Sequence, residues 1–161
     1  PYFEYISHQI KLIETKKVLK KSNSGKNILF LAENFIDHSL VSKENKLFCK
    51  YNENDAINFF IKNIHFLNEK IKDIKIRPHP SDKENKYNWA MKKYPKIKYI
   101  DSDKTLIEDI SNVDIVVGCT TMGLAVACIA KKKVFSCIPP GGGECPIPFK
   151  QIIDIKKIIK L

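Results

Sequence analysis

The sequence predicts an α/β protein built on a doubly wound, Rossmann-like parallel sheet of about five strands. Three observations carry that prediction. Short, nearly continuous apolar runs alternate with amphipathic stretches five times along the 161 residues. Strands of a parallel sheet read this way because helices cover both of their faces. Most runs stop at Pro, at Gly or at a cluster of acids and hydroxyls, the residues that end a ladder or open a helix. The chain also has one-domain length, with 43% hydrophobic residues to build a core.

Phe3, Ile6, Ile10 and Ile13 recur at helical spacing and predict a first helix within residues 2–20, broken by Ser22-Asn23-Ser24-Gly25. Residues 1–26 read as a linker or as a helix belonging to a missing N-terminal domain. The chain starts at Pro1 without a signal-peptide pattern, which fits a piece of a longer protein. Residues 27–150 form the expected sheet domain. Its first strand is Asn27 to Ala32, and a helix near 55–70 follows with Ile57, Phe60, Ile61, Ile64 and Leu67 on one face. Ile74-Lys75-Ile76 is the second strand, stopped by Pro78 and Pro80. A helix through Tyr87–Tyr94 leads to a third strand, Ile97 to Ile100. Thr105 or Asp103 caps the next helix, which contains Leu106, Ile107 and Ile110. Asp114 to Gly118 is the fourth strand, 120–131 the fourth helix and Val134 to Ile138 the fifth strand. Residues 151–161, with Ile152, Ile155, Ile158 and Ile159, predict a C-terminal amphipathic helix.

The formal net charge is +10, from 28 Lys+Arg against 18 Asp+Glu. Arg77 is the only arginine. Proteins that clamp phosphates bidentately favour the planar guanidinium fork, so a lysine-only surface argues against nucleic acid as the partner. The lysines suit a solvated surface, with peripheral contact to an anionic membrane as an expectation. Five cysteines without a C-x-x-C pair match neither a zinc site nor a disulfide scaffold, so the chain reads as cytoplasmic and reduced, with no metal.

Right-handed crossovers bring the C-terminal ends of all strands to one edge, where ligands of wound sheets bind. The loops there are Glu33-Asn34, Arg77-Pro78-His79-Pro80, Asp101-Ser102-Asp103, Gly118 to Gly123 and Pro139 to Gly143. Thr120 is expected to cap the helix after the fourth strand, so that its first-turn N–H groups and the hydroxyls of Thr120 and Thr121 form a phosphate site. Gly123 would permit close approach of helix or ligand. His79, stiffened between two prolines, is the candidate hydrogen-bond or proton donor to a departing phosphate oxygen. Arg77 is a candidate anchor. Neither G-x-G-x-x-G after the first strand nor G-x-x-x-x-G-K-[ST] occurs, which argues against ordinary dinucleotide binding and P-loop hydrolysis. Gly141-Gly142-Gly143 reads as a ligand-covering loop or a plain linker.

The order of Arg77-Pro78-His79-Pro80, Asp101-Ser102-Asp103 and Val117-Gly118-Cys119-Thr120-Thr121 resembles the C-terminal, donor-binding half of GT-B glycosyltransferases. Bacterial sialyltransferases and polysialyltransferases carry a similar His-Pro motif and paired Ser/Thr motif. Capsule Kdo transferases and teichoic-acid glycerophosphotransferases are similar as well. The resemblance covers roughly residues 27–140. It implies one half of a GT-B fold, a nucleotide-sugar donor that is CMP-linked, a surface-glycan or glycolipid acceptor and no other cofactor. It implies that His79, held by Pro80, assists CMP departure and that Thr120 and Thr121 bind the phosphate. It places Asp101, Ser102 and Asp103 near the base or ribose, and the catalytic base on the missing N-terminal domain. The reaction would be inverting and metal-independent. A CDP-glycerol-type transferase is an alternative of the same kind.

Two readings of another class stay open. A receiver-type signalling domain would use Glu33, Asp101 and Thr120, although Pro139-Pro140 stands where its lysine is needed. A non-catalytic nucleotide-binding module would use the same edge without chemistry.

Overall fold

The computed structural model describes residues 2–15, 25–35, 51–99 and 104–160. Its strands are β1 (Lys26–Leu31), β2 (Ile71–Arg77), β3 (Ile97–Tyr99), β4 (Ile115–Gly118), β5 (Lys133–Ser136) and β6 (Ile152–Asp154). The helices are α1 (Tyr2–Thr15), α2 (Glu53–Asn63, continued by a 3-10 turn at Ile64–Leu67), α3 (Asn88–Lys93), α4 (Leu106–Ser111), α5 (Gly123–Ile129) and α6 (Ile155–Ile158). Among the described residues, six strands make one sheet in the order β3-β2-β1-β4-β5-β6, and every neighbouring pair is parallel. This is the Rossmann order, with the connection reversing direction between β1 and β4. It matches one Rossmann-like half of a GT-B fold.

Alternation along the strands explains the two cores. Ile28 and Phe30 of β1, Ile115 and Val117 of β4 and Phe135 of β5 face one side, where Ala56, Ile57 and Phe60 of α2 and Ala90 of α3 cover them. Leu29, Leu31, Val116 and Val134 face the other side, beneath α1, α4 and α5. Ile28, Leu29, Val116 and Val117 are fully buried. Helix α1 contributes Ile6 and Ile10 to this second core, packing beside α4 and α5.

The helix starts carry side-chain caps where the local sequence permits them. Asn52 and Asp55 form a reciprocal capping box at α2, and Thr105 and Glu108 form one at α4. Thr105 is thus the cap that the sequence left open against Asp103.

Three expectations are corrected. The predicted C-terminal helix over 151–161 divides into β6 and the short α6, because Val134, Phe135 and Ser136 of β5 offer a free ladder edge to Ile152, Ile153 and Asp154. The helix expected from Thr120 begins only at Gly123, with Met122 as its N-cap residue and no side-chain cap. The receiver-type topology also fails: in that fold the third strand lies beside the first, whereas β3 is here an edge strand separated from β1 by β2.

Candidate functional site

The dipeptide Glu33-Asn34 follows β1, the strand between β2 and β4, and its two side chains reach in opposite directions. Glu33 turns to the β4 loop. Its Oε1 accepts the backbone N–H groups of Cys119 (3.0 Å), Thr120 (2.7 Å) and Thr121 (3.0 Å), and its Oε2 accepts the Thr120 hydroxyl. Asn34, only 3% exposed, turns to the β2 loop, where its Nδ2 donates to Ser81 Oγ at 3.0 Å. One short segment thereby ties both candidate loops to the end of the central strand.

The expected phosphate site needs correction in its detail. The amides of Cys119, Thr120 and Thr121 do not point outward unpaired but converge on the Glu33 carboxylate. A carboxylate is the natural partner for several convergent N–H groups at a strand-to-helix turn. Thr120 donates its hydroxyl to that carboxylate instead of capping the helix. Thr121 Oγ1 accepts from the Gly123 N–H at 3.2 Å. A Cβ on Gly123 would lie 2.5 Å from Leu31 Cδ1, so this glycine serves the close approach of α5 to β1. Gly118 is similarly confined, by Thr121, Leu124 and the Leu31 carbonyl.

His79 sits in a turn fastened by Asp82. The His79 N–H donates to Asp82 Oδ2 at 2.9 Å, and the Asp82 N–H donates to the His79 carbonyl at 2.9 Å. Asp82 also accepts from Tyr87 OH (2.8 Å) and from Lys86 Nζ (2.6 Å). Lys86 pairs with Glu53 of α2 at 2.5 Å, and the Glu53 and Asp82 side chains are almost wholly buried. Burial pulls the Lys86 pKa down, but its hydrogen bonds to Asp82 and Glu53, with their negative charges, outweigh this and the net shift is upward. The imidazole Nδ1 lies 2.7 Å from Ser81 Oγ and accepts the Ser81 N–H at 3.2 Å.

Arg77 Nη1 donates to Asp109 of α4 and to the Lys104 carbonyl at 3.1 Å. The sole arginine therefore joins the end of β2 to α4. Pro80 is exposed beside His79. Asp101, Ser102 and Asp103 lie outside the described residues. The Pro139 to Gly143 loop is held by its own turn, Gly142 N–H to Pro139 carbonyl at 3.0 Å, and by Lys156 Nζ, which donates to the carbonyls of Gly142 (3.3 Å) and Gly143 (2.9 Å). Among the described residues, no group of three or more His, Cys, Asp or Glu side chains is placed to hold a metal ion, and no helix is long and apolar enough to cross a membrane.

Cys119 and Cys137, both buried, bring their sulfurs within 3.8 Å at the ends of β4 and β5. The contact with Cys137 and burial push the Cys119 thiol well above its ordinary pKa.

Ser81, Asp82, Lys86 and Glu53 escaped the reading of the sequence. Asp82 had a local signal: a carboxylate three residues after His79 is the spacing of a side-chain-closed turn. Glu53 had none, because its contact with Lys86 exists only once α2 packs beside the β2 loop.

No protein-family profile matches the chain, and no curated protein matches it. Solved structures do. The chain is similar to the Thermosulfurimonas dismutans KpsC, beta Kdo 2,7 transferase, with a TM-score of 0.55 and 20% identity over 95% of this chain and 45% of that one. It is also similar to the Thermosulfurimonas dismutans KpsC, beta Kdo 2,4 transferase, with a TM-score of 0.58 and 14% identity over 94% of this chain and 48% of that one. The chain thus spans less than half the length of these structures. At such identities the likeness establishes a shared fold.

Proposed function

We propose that the chain is the donor-binding half of a glycosyltransferase that moves a Kdo-like or sialic acid-like sugar from a CMP-linked donor to a surface-glycan acceptor. The observation that carries this reading is the placement of His79 and the Thr120-Thr121 pair on the loops flanking the end of β1, both tied to Glu33-Asn34. The fold likeness to the two KpsC transferases supports it. With neighbouring strands about 4.8 Å apart, the two loops stand roughly 10 Å from each other, a span suited to a nucleoside monophosphate and its sugar.

In this reading a carboxylate of an acceptor-binding half removes the proton from the acceptor hydroxyl. The hydroxyl oxygen attacks the anomeric carbon as the bond to the phosphate oxygen breaks, which inverts the centre. His79 donates to that leaving oxygen, and CMP departs. Thr121 meets the phosphate through its hydroxyl, while Thr120 holds the loop through Glu33. Arg77 and Pro80 fix the His79 loop, and Gly118 and Gly123 keep the β4 loop close to the sheet. Asp101, Ser102 and Asp103 take the base or ribose. The phosphate is met by imidazole and hydroxyl donors, a route that needs no metal. The lysine-rich charge of the chain favours contact with an anionic membrane where acceptors are assembled.

Titration with CMP, CDP, UMP and UDP tests the reading. Cytidine preference is the expected result, and no binding of any of the four overturns it. Preference for CDP over CMP would move the assignment to a CDP-glycerol-type transferase. In an enzyme that joins this chain to its acceptor-binding half, His79→Ala should lower turnover by roughly 10²-fold or more with little change in donor affinity.

A further inference from the structure

The ring of His79 is fixed by a chain of donors. Asn34 is buried, and its Nδ2 donates to Ser81 Oγ. Ser81 Oγ lies 2.7 Å from His79 Nδ1, and its hydroxyl proton can be turned toward that nitrogen while the oxygen accepts from Asn34. The backbone N–H of Ser81 points at the same nitrogen from 3.2 Å. The Ser81 N–H calls for the lone pair of Nδ1; with the hydroxyl donating to that nitrogen as well, a neutral imidazole carries its proton on Nε2. The His79 backbone is held independently by Asp82, through a hydrogen bond in each direction. Backbone and ring are thus met by different residues: Asp82 holds the turn, and Ser81 contacts the ring nitrogen.

We propose that Ser81, oriented by Asn34, is a positioning residue that holds His79 with the ring proton on Nε2. This deepens the transferase reading, on which it rests for its purpose: the nitrogen that donates to the departing phosphate oxygen is then Nε2. Because Asn34 follows β1 and Ser81 follows β2, the device exists only when the two strands are paired, as they are from Lys26/Ile71 to Leu31/Arg77. A correctly closed sheet edge sets the proton on the imidazole.

Nitrogen-15 NMR of the histidine-labelled 161-residue chain tests this without any transferase assay, with the His79 signals assigned by their loss in His79→Ala. At a pH where the ring is neutral, the wild-type spectrum should give a protonated Nε2 and an unprotonated, hydrogen-bonded Nδ1. Ser81→Ala should move the Nδ1 resonance toward that of an acceptor nitrogen keeping the backbone N–H contact alone, Asn34→Ala should do so by less, and Ser81→Thr should restore the wild-type position. A proton on Nδ1 in the wild type overturns the proposal, as does a Ser81→Ala spectrum identical to wild type. In the joined enzyme, Ser81→Ala should reduce kcat by about tenfold at unchanged donor KM, with rescue by threonine. Unchanged turnover of His79→Ala would instead remove the transferase role of His79 and leave the NMR result standing.

Discussion

Glu33 Oε1 and the Thr120 N–H, 87 positions apart in sequence, meet at 2.7 Å, the shortest of three amide contacts on one carboxylate oxygen. The turn after β4 is therefore organised by a side chain that follows β1 and not by its own helix. This relationship fixes what the loop needs in order to keep its shape.

Removing that carboxylate should cost stability. Glu33→Ala leaves three convergent N–H groups and the Thr120 hydroxyl without their acceptor, a loss on the order of 3 kcal/mol given what charge-assisted hydrogen bonds contribute. Glu33→Gln keeps one carbonyl oxygen and should lose about 1 kcal/mol. Urea unfolding of the two variants checks the order; equal losses would contradict it.

The Lys86 cluster predicts an alkaline limit. Its pKa is raised above the ordinary 10.5, so its contribution to stability is complete below pH 10.5 and is lost as the pH climbs through the higher folded value. Lys86→Met should remove this alkaline dependence and, by leaving the Glu53 and Asp82 carboxylates buried without a cation, cost about 3–5 kcal/mol at neutral pH. Thermal melts between pH 7 and pH 11 read both effects.

Thiol reactivity should follow burial. Cys119 is held in its protonated form by Cys137 and by burial, and desolvation also raises the half-buried Cys128 and Cys145. Iodoacetamide at pH 7 should leave Cys119 and Cys137 unmodified in the folded chain and label Cys128 and Cys145 slowly, with all four reacting in denaturant. Peptide mass spectrometry gives the answer, and rapid native labelling of Cys119 would refute it.

Gly123→Ala tests the contact of α5 with β1. The added methyl meets Leu31, which is buried and has little room to yield, so the variant should lose about 1–3 kcal/mol. The denaturation midpoint should fall while the m-value stays constant.

The wound sheet was legible because its strands are buried on both faces: runs such as Ile28-Leu29-Phe30-Leu31 and Ile115-Val116-Val117 have no other stable environment. Strand ends marked by prolines and glycine also put His79, Thr120 and Thr121 at the C-terminal edge of the sheet. The C-terminal segment misled because Ile152, Ile155, Ile158 and Ile159 suit a helix, while the open edge of β5 decided that Ile152–Asp154 pair as a strand. Local periodicity does not register a partner more than a dozen residues away.

By itself, the sequence determined the α/β class, the covered parallel strands and the edge on which the polar loops gather, since these follow from local pattern and chain handedness. Tertiary structure alone decided which groups meet there: Glu33 in the amides of the β4 loop, Asn34 on the Ser81 that contacts the His79 ring, and Arg77 on Asp109. Each contact joins segments from different strands or helices, or depends on one that does, and the hydrogen bonds form only when parallel pairing has brought their backbones together.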